Sequence, residues 1–146
     1  MKKNTNEKNE FLNYIFKNAE MGVIGINNVV TKLKDDKFID LLQKQKEEYS
    51  FICGVAESML EKDDENPQEI GIMARVSTNL MSDMKIMGND NVPKIAKMMI
   101  EGTTKGVVEI IEKLNEYKNM DEDVVNLAEK LRKIEEKNID ELKKYL

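Results

Sequence analysis

Between Asp121 and Leu146 the chain reads DEDVVNLAEKLRKIEEKNIDELKKYL, and it places a carboxylate and an amide where apolar side chains are expected. At about 100° per residue, Val124, Leu127, Ala128, Leu131, Ile134, Leu142 and Tyr145 share one helical face. Glu135 and Asn138, three residues apart, fall in the same arc. Earlier stripes carry similar intruders: Glu20 at the edge of one, and in a second Gln45, with Glu48 at its edge and Tyr49 inside it. Two chemistries suit these groups. One is a hydrogen-bonded network of Gln45, Tyr49, Glu135 and Asn138 that fixes helix register. The other is a site for a hard cation such as Mg²⁺, Ca²⁺ or Mn²⁺, with oxygen ligands from Glu20, Gln45, Glu48, Glu135 and Asn138. A Glu135 buried without a partner is expected to hold its proton at neutral pH, because desolvation disfavours the charged form.

What is missing narrows the chemistry further. With no histidine, the chain lacks the usual general base, the commonest metal-binding nitrogen, and Ser-His or Cys-His nucleophile pairs. Cys53 is the sole cysteine, so an intrachain disulfide is excluded, and on a helix flank it is expected to be a structural thiol. There is no glycine-rich phosphate loop and no Ser or Thr beside a base. A non-enzymatic protein without a bound cofactor is expected. Ten methionines are many for this length. Met81, Met84 and Met87 are three apart and Met98 and Met99 follow; they suit core filling, a partner surface or, as thioethers, Cu(I). Met81 and Met98 are expected at the surface, where with Ile72 they would form a self-association patch.

Five amphipathic helices are expected to position these residues. After a loose leader at 1–6, a single domain spans 7–146. The first helix runs from Glu7 to Lys34 with Leu12, Ile15, Ala19, Gly22, Ile26, Val29 and Leu33 on its face. Its glycines, Gly22 and Gly25, allow a close helix neighbour or a kink. The second runs from Lys37 to Glu61 with Phe38, Leu42, Gln45, Tyr49, Ile52, Ala56 and Met59. Asn66-Pro67-Gln68-Glu69 starts a shorter third, which Gly88-Asn89 ends. The fourth opens at Asn91 and Pro93 and reaches Lys118 with Ala96, Met99, Ile100, Thr103, Val107, Ile110, Leu114 and Tyr117 inward. Glu101, Glu109 and Glu112 point away, and Gly102 and Gly106 let another backbone come near. Asn119 and Glu122 read as a capping box for the last helix.

Short polar turns between these segments favour antiparallel neighbours, so the expected fold is an all-α, up-down bundle of five helices. In helix lengths, helix order and the tail LAEKLRKIEEKNIDELKKYL the chain resembles ferritin-like proteins and small bacterial helical proteins. The resemblance implies a four-helix core with the third helix as crossover. It also implies that Glu135 matches the Glu of a Glu-x-x-His ligand pair, with Asn138 in the place of the histidine. Position by position the di-iron ligand set fails. At most Glu20, Glu48 and Glu135 converge, without nitrogen ligands, too little to neutralise two irons.

The totals agree with a helical protein of modest size. Charged residues make up 35 % of 146, aromatics 5 %, with two prolines. A net charge of −5 without a basic stripe argues against nucleic acid, and no apolar run approaches the roughly 20 residues of a bilayer span. With no signal-peptide core, a cytoplasmic location is expected. The expected role is structural or protein-binding, with self-association as a homodimer or another assembly. The alternative is a degenerate ferritin-like protein that holds a metal ion or small ligand in the bundle core.

Overall fold

The structure, a computed structural model, describes residues 2–62 and 91–146. These form four helices: α1 (Lys2–Val30), α2 (Asp36–Glu61), α3 (Val92–Glu116) and α4 (Glu122–Lys143). The expected count of five helices is corrected to four among the described residues. The stretch expected to form the short crossover helix, with its Asn66-Pro67 start and Gly88-Asn89 stop, lies outside them, as do Ile72, Met81, Met84 and Met87. None of the four helices is long and apolar enough to cross a membrane.

Local chemistry sets the helix ends. The Asp35 carboxylate accepts from the Phe38 N–H at 2.9 Å and starts α2 right after the polar turn that ends α1. Asn91 does the same for α3, accepting from the Lys94 N–H at 3.2 Å, with Pro93 in the first turn where its missing donor costs nothing. Two boundaries differ from expectation. α1 is already helical at Lys2, ahead of Glu7, because polarity alone does not stop a helix that lacks a breaker. The N-cap of α4 is Asp121, not Asn119, and its side chain makes no capping bond. There the acidic first turn (Glu122, Asp123) and Lys143 in the last turn complement the helix dipole.

Cross-helix contacts set the directions. Phe11 stacks on Tyr117 at 5.1 Å, Lys8 pairs with Asp121 at 3.4 Å, and Tyr14 donates to Glu109 at 2.7 Å, so α1 and α3 run antiparallel. Phe38 packs on Tyr145 at 4.7 Å while Glu48, a few turns further along α2, pairs with Lys137, so α2 and α4 also run antiparallel. With the two short turns, the order is up, down, down, up. The closest packing lies within two hairpins, α1 with α2 and α3 with α4. The apolar core is continuous between them, from Phe11, Leu12 and Ile15 through Ile52 and Ile110 to Val124, Leu131 and Leu142. Where α1 and α3 stand apart at mid-height, the core gives way to a cavity.

Candidate functional site

The α4 stripe keeps its helical period through the polar positions, so Glu135 and Asn138 are buried in step with Leu131 and Leu142. Glu135 is 3 % exposed and Asn138 fully buried. The Glu135 carboxyl lies on the backbone of α3. A Cβ placed on Gly106 would be 2.7 Å from Glu135 Oε2 and 3.4 Å from the Asn18 amide atoms. The other oxygen, Oε1, has no hydrogen-bond partner among the described residues. Burial, reinforced by the nearby Glu109 carboxylate, pushes the Glu135 pKa up to about 8. Glu135 therefore favours its protonated form at neutral pH.

Above it lies a cavity of about 440 Å³ between α1 and α3, with Gln45 and Tyr49 of α2 and Glu135 of α4 as its inner wall. Its sides are small or soft: Gly22 and Gly25 face Gly102 and Gly106, and Met21, Met98 and Met99 supply thioethers. The Tyr49 ring rests on α1 at Gly22, where an added Cβ would be 2.6 Å from the ring. Burial raises the Tyr49 phenol pKa and a charged Glu135 adds to it, while the Asn138 and Thr103 side chains oppose. Tyr14 is shifted up as well, by burial and then by its bond to Glu109. Asn18 donates through Nδ2 to the Gly106 carbonyl at 3.2 Å and ties the two sides together. Gln45 donates weakly, at 3.5 Å to the Asn138 carbonyl and at 3.4 Å to Glu141.

The residues singled out by sequence therefore divide. Gln45, Tyr49 and Glu135 meet at the cavity, and Asn138 adjoins them through its contact with Gln45. Glu48 sits on the outer side of α2, paired with Lys137. Glu20 is buried but does not line the cavity. The five-residue cation shell is thus not assembled, and among the described residues no three acidic, cysteine or histidine side chains are grouped to hold a metal. Glu109, expected to point away from the bundle, instead lines the cavity and accepts from Tyr14, because the α3 stripe is wider than its apolar residues alone mark. Met98, expected at the surface, is half-buried against the core and lines the same cavity. Tyr14, Lys17 and Asn18 went unnoticed. Their only signal is spacing, since Tyr14, Asn18, Met21 and Gly25 run along one flank of the α1 stripe at three and four residues.

This is a pocket with apolar sides and a few converging polar groups, the usual composition of a small-molecule site. Its two phenols are shifted away from ionisation, and Cys53 lies elsewhere, with Sγ 3.8 Å from the Phe16 carbonyl. Comparison of the chain with known protein families, with curated proteins and with solved structures gives no match, and the resemblance to ferritin-like proteins is not shown.

Proposed function

We propose that this protein binds a small organic molecule, without transforming it, in the cavity between α1 and α3. The observation that carries the reading is Glu135 Oε1, a buried oxygen at the cavity wall with no partner among the described residues. An unpaired buried polar atom costs about 1–3 kcal/mol, and a ligand that bonds to it recovers that loss. The surrounding polar groups support the same reading. The Asn138 side-chain amide also lacks a complete hydrogen bond, and the Gln45 bonds are long. A network serving only to fix helix register is expected to be satisfied throughout.

Gly102 lines the cavity and a Cβ there would meet nothing within 4 Å, so Gly102→Leu reduces the cavity without overpacking the helix. Native mass spectrometry of the full chain, followed by extraction, is expected to show an organic molecule that is absent from the variant, with circular dichroism unchanged. If neither the extract nor a fragment screen by thermal shift finds a binder that Gly102→Leu excludes, the reading falls.

Self-association is a second reading, supported by Val108 and Ile111, which are 51 % and 39 % exposed and three residues apart on α3. Sedimentation of the wild type is expected to show a dimer that Val108→Glu converts to monomer. A monomeric wild type at about 100 μM would remove this reading, since that concentration populates even a weak dimer.

A further inference from the structure

The cavity carries two carboxyl groups from different helices, Glu135 of α4 and Glu109 of α3. Neither is paired with a cationic side chain among the ion pairs of the described residues. Glu109 accepts the Tyr14 hydroxyl at 2.7 Å, while Glu135, 3 % exposed, keeps Oε1 unbonded. Tyr14 and Tyr49 line the same space, and three methionines give it apolar, polarisable walls. Two acids without an ion-pair partner among these contacts, set beside an apolar space, offer a seat for one positive charge.

We propose that the cavity takes an organic monocation, a protonated amine on an apolar body, with its ammonium between Glu135 and Glu109. This deepens the small-ligand reading and rests on it. The ammonium donates to both carboxylates, and the hydrocarbon part packs on Met21, Met98 and Met99. Lys17 of α1 and Lys105 of α3 also line the cavity, and Lys105 is exposed, which places it toward the mouth. A second positive charge at the outer end of the ligand meets the exposed Lys105, so a diamine is disfavoured against a monoamine.

The groups around Glu135 make the class testable by pH: Tyr14 and Lys17 from α1, Tyr49 from α2, Lys105 and Glu109 from α3. Burial pushes the Glu135 pKa up to about 8, which brings its titration close to neutrality. A cation pairs with the ionised carboxyl, so below that pH its binding expels one proton. Affinity then rises about tenfold per pH unit and levels off near pH 8. A neutral ligand that accepts a bond from the protonated acid shows the opposite trend.

Isothermal titration of the full chain with cyclohexylmethylamine and its neutral isostere cyclohexylmethanol, at about pH 6 and about pH 8, separates the two. The expected result is preference for the amine, affinity rising with pH, and about one proton released per amine bound at the lower pH. Glu135→Gln mimics the neutral acid, so it keeps the fold but loses at least about tenfold in amine affinity together with the pH trend. 1,6-Diaminohexane is expected to bind more weakly than hexylamine. Equal or tighter binding of the alcohol, or amine affinity that falls with pH, overturns the cation class and leaves the small-ligand reading intact. If neither probe binds while another molecule copurifies, the cation class alone is lost; if nothing binds or copurifies, both are.

Discussion

Two glycines, one on the first helix of each hairpin, do the same structural job for very different guests. Gly22 of α1 receives the Tyr49 ring from α2, and Gly106 of α3 receives the Glu135 carboxyl from α4. At both, a Cβ would intrude to within 2.7 Å or less of the partner side chain. The Tyr49 ring is a rigid plate, 4 % exposed, that completes the packing of its hairpin. The Glu135 carboxyl sits at the end of a flexible chain, one oxygen against the glycine and the other unbonded at the cavity. One seat stabilises the bundle. The other holds an acid that costs stability when it ionises, and the proposed binding reading rests on that asymmetry.

The largest effect expected from this contrast is a pH dependence of stability that belongs to the Glu135 seat. Its folded pKa of about 8 lies above the ordinary 4.5, so the native state binds the proton more tightly than the unfolded chain. The contribution is fully present below the unfolded value, declines as pH rises through the window between the two, and is spent above about 8. The slope is about 1.4 kcal/mol per pH unit, several kcal/mol across the window. Urea unfolding at about pH 5 and about pH 8.5, compared between wild type and Glu135→Gln, isolates it from the other acids. The variant is expected to be less sensitive to pH by that amount and to exceed the wild type in alkaline buffer. Identical pH profiles would mean that Glu135 has a partner or water, and the two seats would no longer differ in kind.

How much of this was legible in sequence follows from the same residues. The helical period of α4 carries through Glu135 and Asn138, so their burial could be read directly, and the apolar stripes of α1 and α2 emerged largely as expected. Period alone says which face a residue occupies, not which residue of another helix it meets. The convergence of Glu20 and Glu48 with Glu135 therefore could not be tested until hairpin pairing was known. Glu109 was missed because a charged residue on a stripe edge looks solvated until a partner such as Tyr14 reaches it. Gly22 and Gly106 were legible as places of close approach. That side chains, not a backbone, fill them depends on the rotation of each neighbouring helix, which spacing does not encode.

Paired alanine substitutions put the two seats on one scale. Gly22→Ala brings a methyl to 2.6 Å from the Tyr49 ring, and neither ring nor backbone can yield without disturbing the α1–α2 packing. Overpacking costs about 1–3 kcal/mol and helix propensity returns roughly 1, so a net loss of about 1–2 kcal/mol is expected in urea unfolding. Most of that loss should vanish in a Tyr49→Leu background, because the clash is with the ring. Gly106→Ala brings its methyl to 2.7 Å from Glu135 Oε2, but there the carboxyl can swing aside into the cavity. The same propensity gain then offsets a smaller strain, and stability should stay within about 0.5 kcal/mol of wild type. The change should appear instead in the Glu135 carboxyl, whose ¹³C titration midpoint moves because its contact with α3 is altered. A loss at Gly106 as large as that at Gly22 would show an acid held as firmly as the ring, leaving no movable group for a ligand to engage.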